Sequence, residues 1–198
     1  QLEHQVLNSA DQIITTSFTT KDEFSDITDK PISVITNGYN AEDFNLDSNV
    51  HLDSKFTIGH IGSLLSERNP EVLWQVLSEV IKDNSEFAEV FQLKLAGTVS
   101  EDILYSLDSY GLRRYTLELG YLSHQEAFEE MRKSQVLALI EIDSQETIGI
   151  IPGKLFAYVL AKRPILAIGP KDWDAQQIIE ETKAGYTFSY GDAEILKQ

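Results

Sequence analysis

A doubly wound, Rossmann-like parallel α/β sheet is the fold this sequence predicts, and three observations carry the prediction. From residue 55 onward, short apolar runs rich in β-branched residues alternate with amphipathic stretches of helical period, the signature of repeated βα units. One run, Val136-Leu137-Ala138-Leu139-Ile140, is apolar throughout, as expected of a strand covered on both faces. Glycines follow three of the strand-like runs, at Gly62, Gly97 and Gly120. They mark turns at the carboxyl ends of the strands, the rim where such sheets hold ligands.

Taken in order, residues 1–10 read as a polar helix and Asp11-Gln12-Ile13-Ile14-Thr15-Thr16 as a strand, with Ser17 and Thr19 as possible caps of a following helix. Ile32-Ser33-Val34-Ile35 is strand-like and ends in the turn signal Thr36-Asn37-Gly38. Residues 39–54, rich in Asn and Asp, read as a linker. Phe56-Thr57-Ile58-Gly59-His60-Ile61 is the next strand, and Val72, Leu73, Val76, Leu77, Val80 and Ile81 recur at helical spacing within 70–83. Strands follow at 91–97 and 115–120, each with a helix behind it near 100–110 and 123–133. After Val136-Leu137-Ala138-Leu139-Ile140 come a Gly/Pro turn, a helix, the strand Pro164-Ile165-Leu166-Ala167-Ile168, a helix over 172–183 and a last short strand at 186–188. The loops after Ile61, Ala96, Leu119, Ile140 and Ile168 then share one rim.

Composition narrows the partners. The 198 residues are 42% hydrophobic, an ordinary globular value that permits a substantial core. With 32 acidic and 16 basic residues the net charge is −16, which disfavours non-specific nucleic-acid or anionic-membrane binding. An anionic ligand would need a local field from placed cations and helix amides. Cysteine is absent, which removes disulfides, Cys-based metal sites and Cys nucleophiles and is compatible with a cytoplasmic protein. No apolar run approaches the roughly 18 residues of a membrane span. The sequence opens on Gln1 without a signal-like segment, and it reads as a piece of a longer protein whose first element has lost its partner.

The most informative turn is Pro152-Gly153-Lys154, between the apolar run and the next helix. Pro suits a first helical turn, and the first amides of a helix lack intrahelical partners. With the positive end of the dipole and Lys154 they form a phosphate seat, or else a plain helix cap with a solvated lysine. Gly59-His60-Ile61-Gly62-Ser63 lets a ligand approach the backbone or simply makes a tight turn, and it lacks the full dinucleotide spacing. Arg68, just beyond, offers a forked cation to a phosphate or stands in solvent. Tyr121 and Leu122 suit either the flanks of a base ring or the core. Ser123 with Glu126 reads as a capping box. The acidic run from Glu141 to Glu146 holds carboxylates for hydroxyl binding or acid/base work, or exposed acids ordinary in so acidic a chain. His4, His51, His60 and His124 have no metal-ligand spacing.

Together these segments resemble the group 1 glycosyltransferases of GT-B architecture, in particular their C-terminal, nucleotide-sugar-binding domain. The resemblance rests on Ala10-Asp11-Gln12-Ile13-Ile14-Thr15-Thr16-Ser17, on Ile35-Thr36-Asn37-Gly38-Tyr39-Asn40 with Phe44, and on Gly59-His60-Ile61-Gly62-Ser63-Leu64 with Arg68-Asn69-Pro70. It continues through Leu95-Ala96-Gly97, Gly120-Tyr121-Leu122, Pro152-Gly153-Lys154-Leu155-Phe156-Ala157-Tyr158 and Pro164-Ile165-Leu166. The resemblance implies that residues 1–30 are the tail of an acceptor domain and residues 31–198 a donor domain. It implies hexosyltransferase-like transfer with retained anomeric configuration, from a nucleotide-diphosphate sugar to a glycan, lipid or small-molecule acceptor held by the missing domain. That domain would also make any peripheral membrane contact, and no cofactor or obligatory metal is implied. Gly62, Ser63, Arg68, Gly153 and Lys154 then fall at the diphosphate and sugar, and Gly97, Tyr121 and Leu122 at the nucleoside. The chain alone is expected to be inactive in transfer.

One departure from the family stands out. The family carries two glutamates eight positions apart, the second contacting the ribose hydroxyls, and here those positions hold Gly149 and Ala157. Neither side chain accepts a hydrogen bond. Glu146 is the nearest substitute for the first. An altered donor contact, a related nucleotide-sugar epimerase and a non-catalytic α/β binding module therefore stand beside the transferase reading.

Overall fold

The structure, a computed structural model, describes residues 2–39 and 49–198. Its principal feature is a six-stranded, wholly parallel sheet. The strands are β3 (Phe56–Ile61), β4 (Phe91–Ala96), β5 (Thr116–Gly120), β6 (Val136–Ile140), β7 (Ile165–Ile168) and β8 (Gly185–Phe188). Their spatial order is β5-β4-β3-β6-β7-β8. This is the predicted doubly wound arrangement, in which winding proceeds outward in both directions from a central pair.

Strand side chains alternate between two cores. Ile58, Leu93, Leu95, Ala138 and Ile140 face one layer, which is completed by α3 (Glu71–Asp83), α5 (Glu101–Ser109) and the final helix α9 (Ala193–Lys197). Ile61, Leu137, Leu139, Ile165 and Ala167 face the other, beneath α6 (His124–Lys133), α7 (Lys154–Ala161) and α8 (Asp174–Thr182). The period of two within each strand is what divides one apolar run between two layers. α6 starts in the predicted capping box: Ser123 Oγ accepts the Glu126 amide at 3.3 Å and Glu126 Oε2 accepts the Ser123 amide at 2.8 Å.

The N-terminal segment forms a unit of its own. α1 (Leu2–Ser9) leads to β1 (Ile13–Thr15), α2 (Phe18–Ser25) and β2 (Ile32–Val34), and β1 pairs with β2 in parallel. β2 therefore lies beside β1, apart from the larger sheet. Asn40 and Phe44, which contributed to the resemblance, lie outside the described residues.

Five local expectations are revised. A short helix, α4 (Ser85–Val90), capped by Asn84 Oδ1 on the Phe87 amide at 2.9 Å, lies unforeseen between α3 and β4. α9 was likewise not anticipated. Tyr115 ends a 3-10 turn, so β5 starts one residue late, and α8 begins at Asp174 because Asp172 takes a left-handed φ of 60°. Thr19 does not cap its own helix; Ser17 does, while Thr19 bonds Asp174.

One buried charge lies within the sheet. Lys94, in β4, is 2% exposed and donates to Asp53 at 2.5 Å and Glu130 at 2.7 Å. The Asp53 amide bonds the Lys133 carbonyl at 3.0 Å. This cluster ties the end of the linker to α6.

Candidate functional site

Strand order reverses between β3 and β6, the switch point at whose carboxyl ends such sheets hold ligands in a crevice. The two strands pair only through Ile58 with Val136 and Gly59 with Leu137. Beyond Gly59 the ladder is replaced by side chains. The Tyr158 hydroxyl, from α7, accepts the Ile61 amide at 2.9 Å and lies 3.3 and 3.4 Å from the Ile61 and Ala138 carbonyls. His60 places Nδ1 3.0 Å from the same Ala138 carbonyl. The fork is thereby held open with its polar groups satisfied.

Burial sets the charge states in this fork. His60 is 1% exposed, and burial, with Lys154 and Arg68 nearby, lowers its pKa to about 3. The ring is neutral at working pH. Nδ1–H donates to Ala138, which leaves Nε2 to accept from Lys154 Nζ at 3.2 Å, with the Ser63 carbonyl 3.3 Å from the same nitrogen. Lys154 is itself largely buried. Desolvation, and then the Arg68 charge, lower its pKa to about 8, while Glu141 works in the opposite direction.

Arg68 closes the other side. It ends a 3-10 turn, Ser66–Arg68, and aims Nε and Nη2 at Glu141 Oε1, both at 2.9 Å. Glu141 is the first residue after β6 and 1% exposed, and the same oxygen accepts the Ile142 amide at 2.9 Å. Tyr190 donates to the Glu141 carbonyl at 2.9 Å, and burial pushes its phenol well above the usual range. One buried carboxylate thus fixes one guanidinium beside one buried ammonium. The crevice carries a local positive excess in a chain of net charge −16.

The rim glycines make room for this. Gly62 and Gly97 have φ of 127° and 100°, a region L side chains rarely adopt. A Cβ on Gly97 would lie 2.8 Å from the Gly62 carbonyl carbon, and one on Gly62 would lie 2.8 Å from Lys154 Nζ. The two loops therefore nest, and the ammonium occupies space a side chain would fill. α7 starts at the anticipated turn with Gly153 as its N-cap. The Leu155 and Phe156 amides close back on the Pro152 and Gly153 carbonyls. Those of Gly153 and Lys154 have no acceptor among the described residues.

The structure thus gathers Gly62, Ser63, Arg68, Gly153 and Lys154 at one crevice, with Gly97 nested behind Gly62. Gly120 joins this layer through its carbonyl, which accepts the Gly97 amide at 2.7 Å. Tyr121 stands 93% exposed on the β5 side, whereas Leu122 packs against the second core. Glu146 is exposed in a 3-10 turn, Gln145–Thr147, and Ala157 is half-buried and packs against the second core. Sequence reading passed over His60 and Tyr158 and did not single out Glu141. Tyr158 was accessible in principle, since it stands four residues after Lys154 on the same helical face. A separate concavity lies elsewhere. It measures about 840 Å³ and is lined by Val159, Lys162, Arg163, Pro164, Lys183 and Tyr186, before β7 and β8. Lys162 and Lys183 there are left-handed C-caps of α7 and α8, where cations offset the helix dipoles.

No family model and no curated protein matches the sequence. Solved structures do match its fold. HepE of Anabaena, in complex with UDP and glucose, superposes with a TM-score of 0.68 at 15% identity over 99% of this chain and 54% of that one. WaaG, a glycosyltransferase involved in lipopolysaccharide biosynthesis, gives 0.70 at 10% identity over 93% and 52%. Sucrose-phosphate synthase of Thermosynechococcus elongatus gives 0.67 at 17% identity over 99% and 49%. The chain spans about half the length of these proteins. In fold, this chain is similar to the Rossmann-like α/β half of GT-B glycosyltransferases.

Proposed function

We propose that this chain is the donor-binding part of a glycosyltransferase that uses a nucleotide-diphosphate sugar. The observation that carries the reading is the fork between β3 and β6, where Arg68, held by Glu141, lies near enough to act electrostatically on Lys154, the first residue of α7, within a strongly acidic chain. Diphosphate is the ligand that suits two fixed cations and a helix N-terminus. UDP and glucose bound to HepE support the choice of ligand class. In this reading Gly62, Ser63, Arg68, Gly153 and Lys154 receive the diphosphate and sugar, and Gly97, Tyr121 and Leu122 border the nucleoside. Arg68, Lys154 and the helix amides would stabilise negative charge developing on a departing diphosphate without an obligatory metal.

The acceptor belongs to a second domain, of which the β1–β2 unit is a part. The pairing of β2 with β1 supports a division between the two parts after Val34 rather than after residue 30. Transfer with retention and the inactivity of this chain alone belong to the same proposal. Titration with uridine, guanosine, adenosine and cytidine diphosphates is expected to give saturable binding for one base and its loss in Arg68→Ala and Lys154→Met. Failure of all four to bind would overturn the reading. Ala157 in the ribose-contact position favours a second reading, a non-catalytic binding module. It predicts nucleotide binding in the intact protein without glycosyl transfer or donor turnover.

A further inference from the structure

We propose that Thr19 and Asp174, with Gly149 between them, form a latch by which the N-terminal unit positions the loop that leads into Lys154; the inference rests on the donor-site reading above. Asp174, the first residue of α8, is 8% exposed and directs its carboxylate at the first turn of α2 rather than along its own helix. Oδ2 accepts the Thr19 amide at 2.9 Å and Oδ1 accepts the Thr19 hydroxyl at 2.7 Å. A carboxylate there satisfies an unpartnered amide and opposes the positive end of the α2 dipole.

Asp174 and Trp173, the N-cap of α8, also hold the loop. The Asp174 amide donates to the Ile148 carbonyl at 2.9 Å, and the Trp173 indole N–H donates to the Ile150 carbonyl. Gly149, between those carbonyls, faces α2. A Cβ there would lie 3.2 Å from Ser17 Oγ, 3.2 Å from Thr19 Cβ and 3.4 Å from Thr20 Oγ1. The loop is therefore clamped by α8 from one side and by the first turn of α2 from the other. Ile151 is buried, and Pro152 and Gly153 follow it directly into α7. A displacement of α2 moves the segment whose end sets the position of the Lys154 ammonium. A side chain at Gly149 would press on Ser17 and the first turn of α2, which would have to give by a few tenths of an ångström. Thr19, Asp174 and Gly149 are positioning residues, acting on the site through the loop.

Thr19→Val and Asp174→Ala in the intact chain test the latch, with Thr19→Ser as the conservative rescue. The first readout is amide hydrogen exchange of residues 148–151 and 153, which does not depend on any ligand. Exchange there is expected to accelerate at least tenfold in both disruptive variants and to return to the unaltered rate in Thr19→Ser. The second readout is affinity for whichever nucleoside diphosphate the unaltered chain binds, expected to weaken several-fold with thermal midpoints of Thr19→Val and Thr19→Ser alike. Unchanged exchange in both disruptive variants overturns the latch, whatever binds. If no diphosphate binds the unaltered chain, the donor reading fails, and the exchange rates alone still decide whether α2 holds the loop.

Discussion

Lys154 offers a quantitative prediction because its ionisation and its role are linked. Its pKa is lowered from 10.5 to about 8, chiefly by burial and then by Arg68. Raising the pH from 7 to about 9.5 leaves roughly 3% of the free site protonated, so binding that requires the ammonium weakens about 30-fold, or about 2 kcal/mol. The groups packed against Lys154 hold their charge over that window. His60, with its pKa at about 3, stays neutral, Arg68 keeps its charge, and burial holds the Tyr190 phenol protonated. A nucleoside diphosphate has a terminal phosphate pKa of about 6 and is already ionised. Isothermal titration across this range should show the loss in the unaltered chain and a weak, flat profile in Lys154→Met. A flat profile in the unaltered chain, or the same slope in Lys154→Met, refutes the reasoning. The stability term has the opposite dependence: the unfolded chain binds more protons here between about 8 and 10.5, so this site's contribution to stability rises with pH across that window.

Other predictions concern the frame of the site. Gly97→Ala combines a left-handed φ of 100° with a 2.8 Å approach to the Gly62 backbone, and should cost about 2 kcal/mol or more in urea unfolding and weaken diphosphate binding. Lys94→Met leaves the carboxylates of Asp53 and Glu130 half-buried without their shared cation; a loss of about 3 kcal/mol is expected by chemical denaturation. Burial raises the Glu130 pKa, but hydrogen bonds from Lys133 and Lys94 outweigh it and the net shift is downward. Its stabilisation is therefore present above the ordinary carboxylate range and lost as pH falls through the folded value, which acid unfolding of the two proteins will compare. Ser123→Ala removes the N-cap of α6 and should lower stability by about 1 kcal/mol with diphosphate affinity unchanged.

The sheet was legible because its signals are local and repeated. The alternation within Phe91–Ala96 and the unbroken apolar run of Val136–Ile140 each predict a strand from a few neighbouring residues. α4 and α9, of six and five residues, were not, since so short a helix shows too little periodicity to stand out. The glycines, Arg68 and Lys154 were legible as rim residues because strand ends in a doubly wound sheet share one edge. Pairings across the chain were not. Arg68 and Glu141 are 73 residues apart, and Lys154 and His60 are 94 apart; only the strand order brings them together. His60 lacks metal spacing, yet its neutral ring serves as the acceptor that locates a buried lysine. Gly149 was legible as a departure from the family, while the close approach of Ser17 and Thr19 to it depends on contacts more than 100 residues apart.

The central claim is that the fork between β3 and β6 seats a diphosphate. Amide chemical-shift mapping of the chain during titration with the best-binding nucleoside diphosphate tests it directly. The largest shifts are predicted at Gly62, Ser63, Gly153 and Lys154, with smaller ones at Tyr121. Shifts confined to Lys162, Arg163, Lys183 and Tyr186, around the concavity before β7 and β8, would contradict the account.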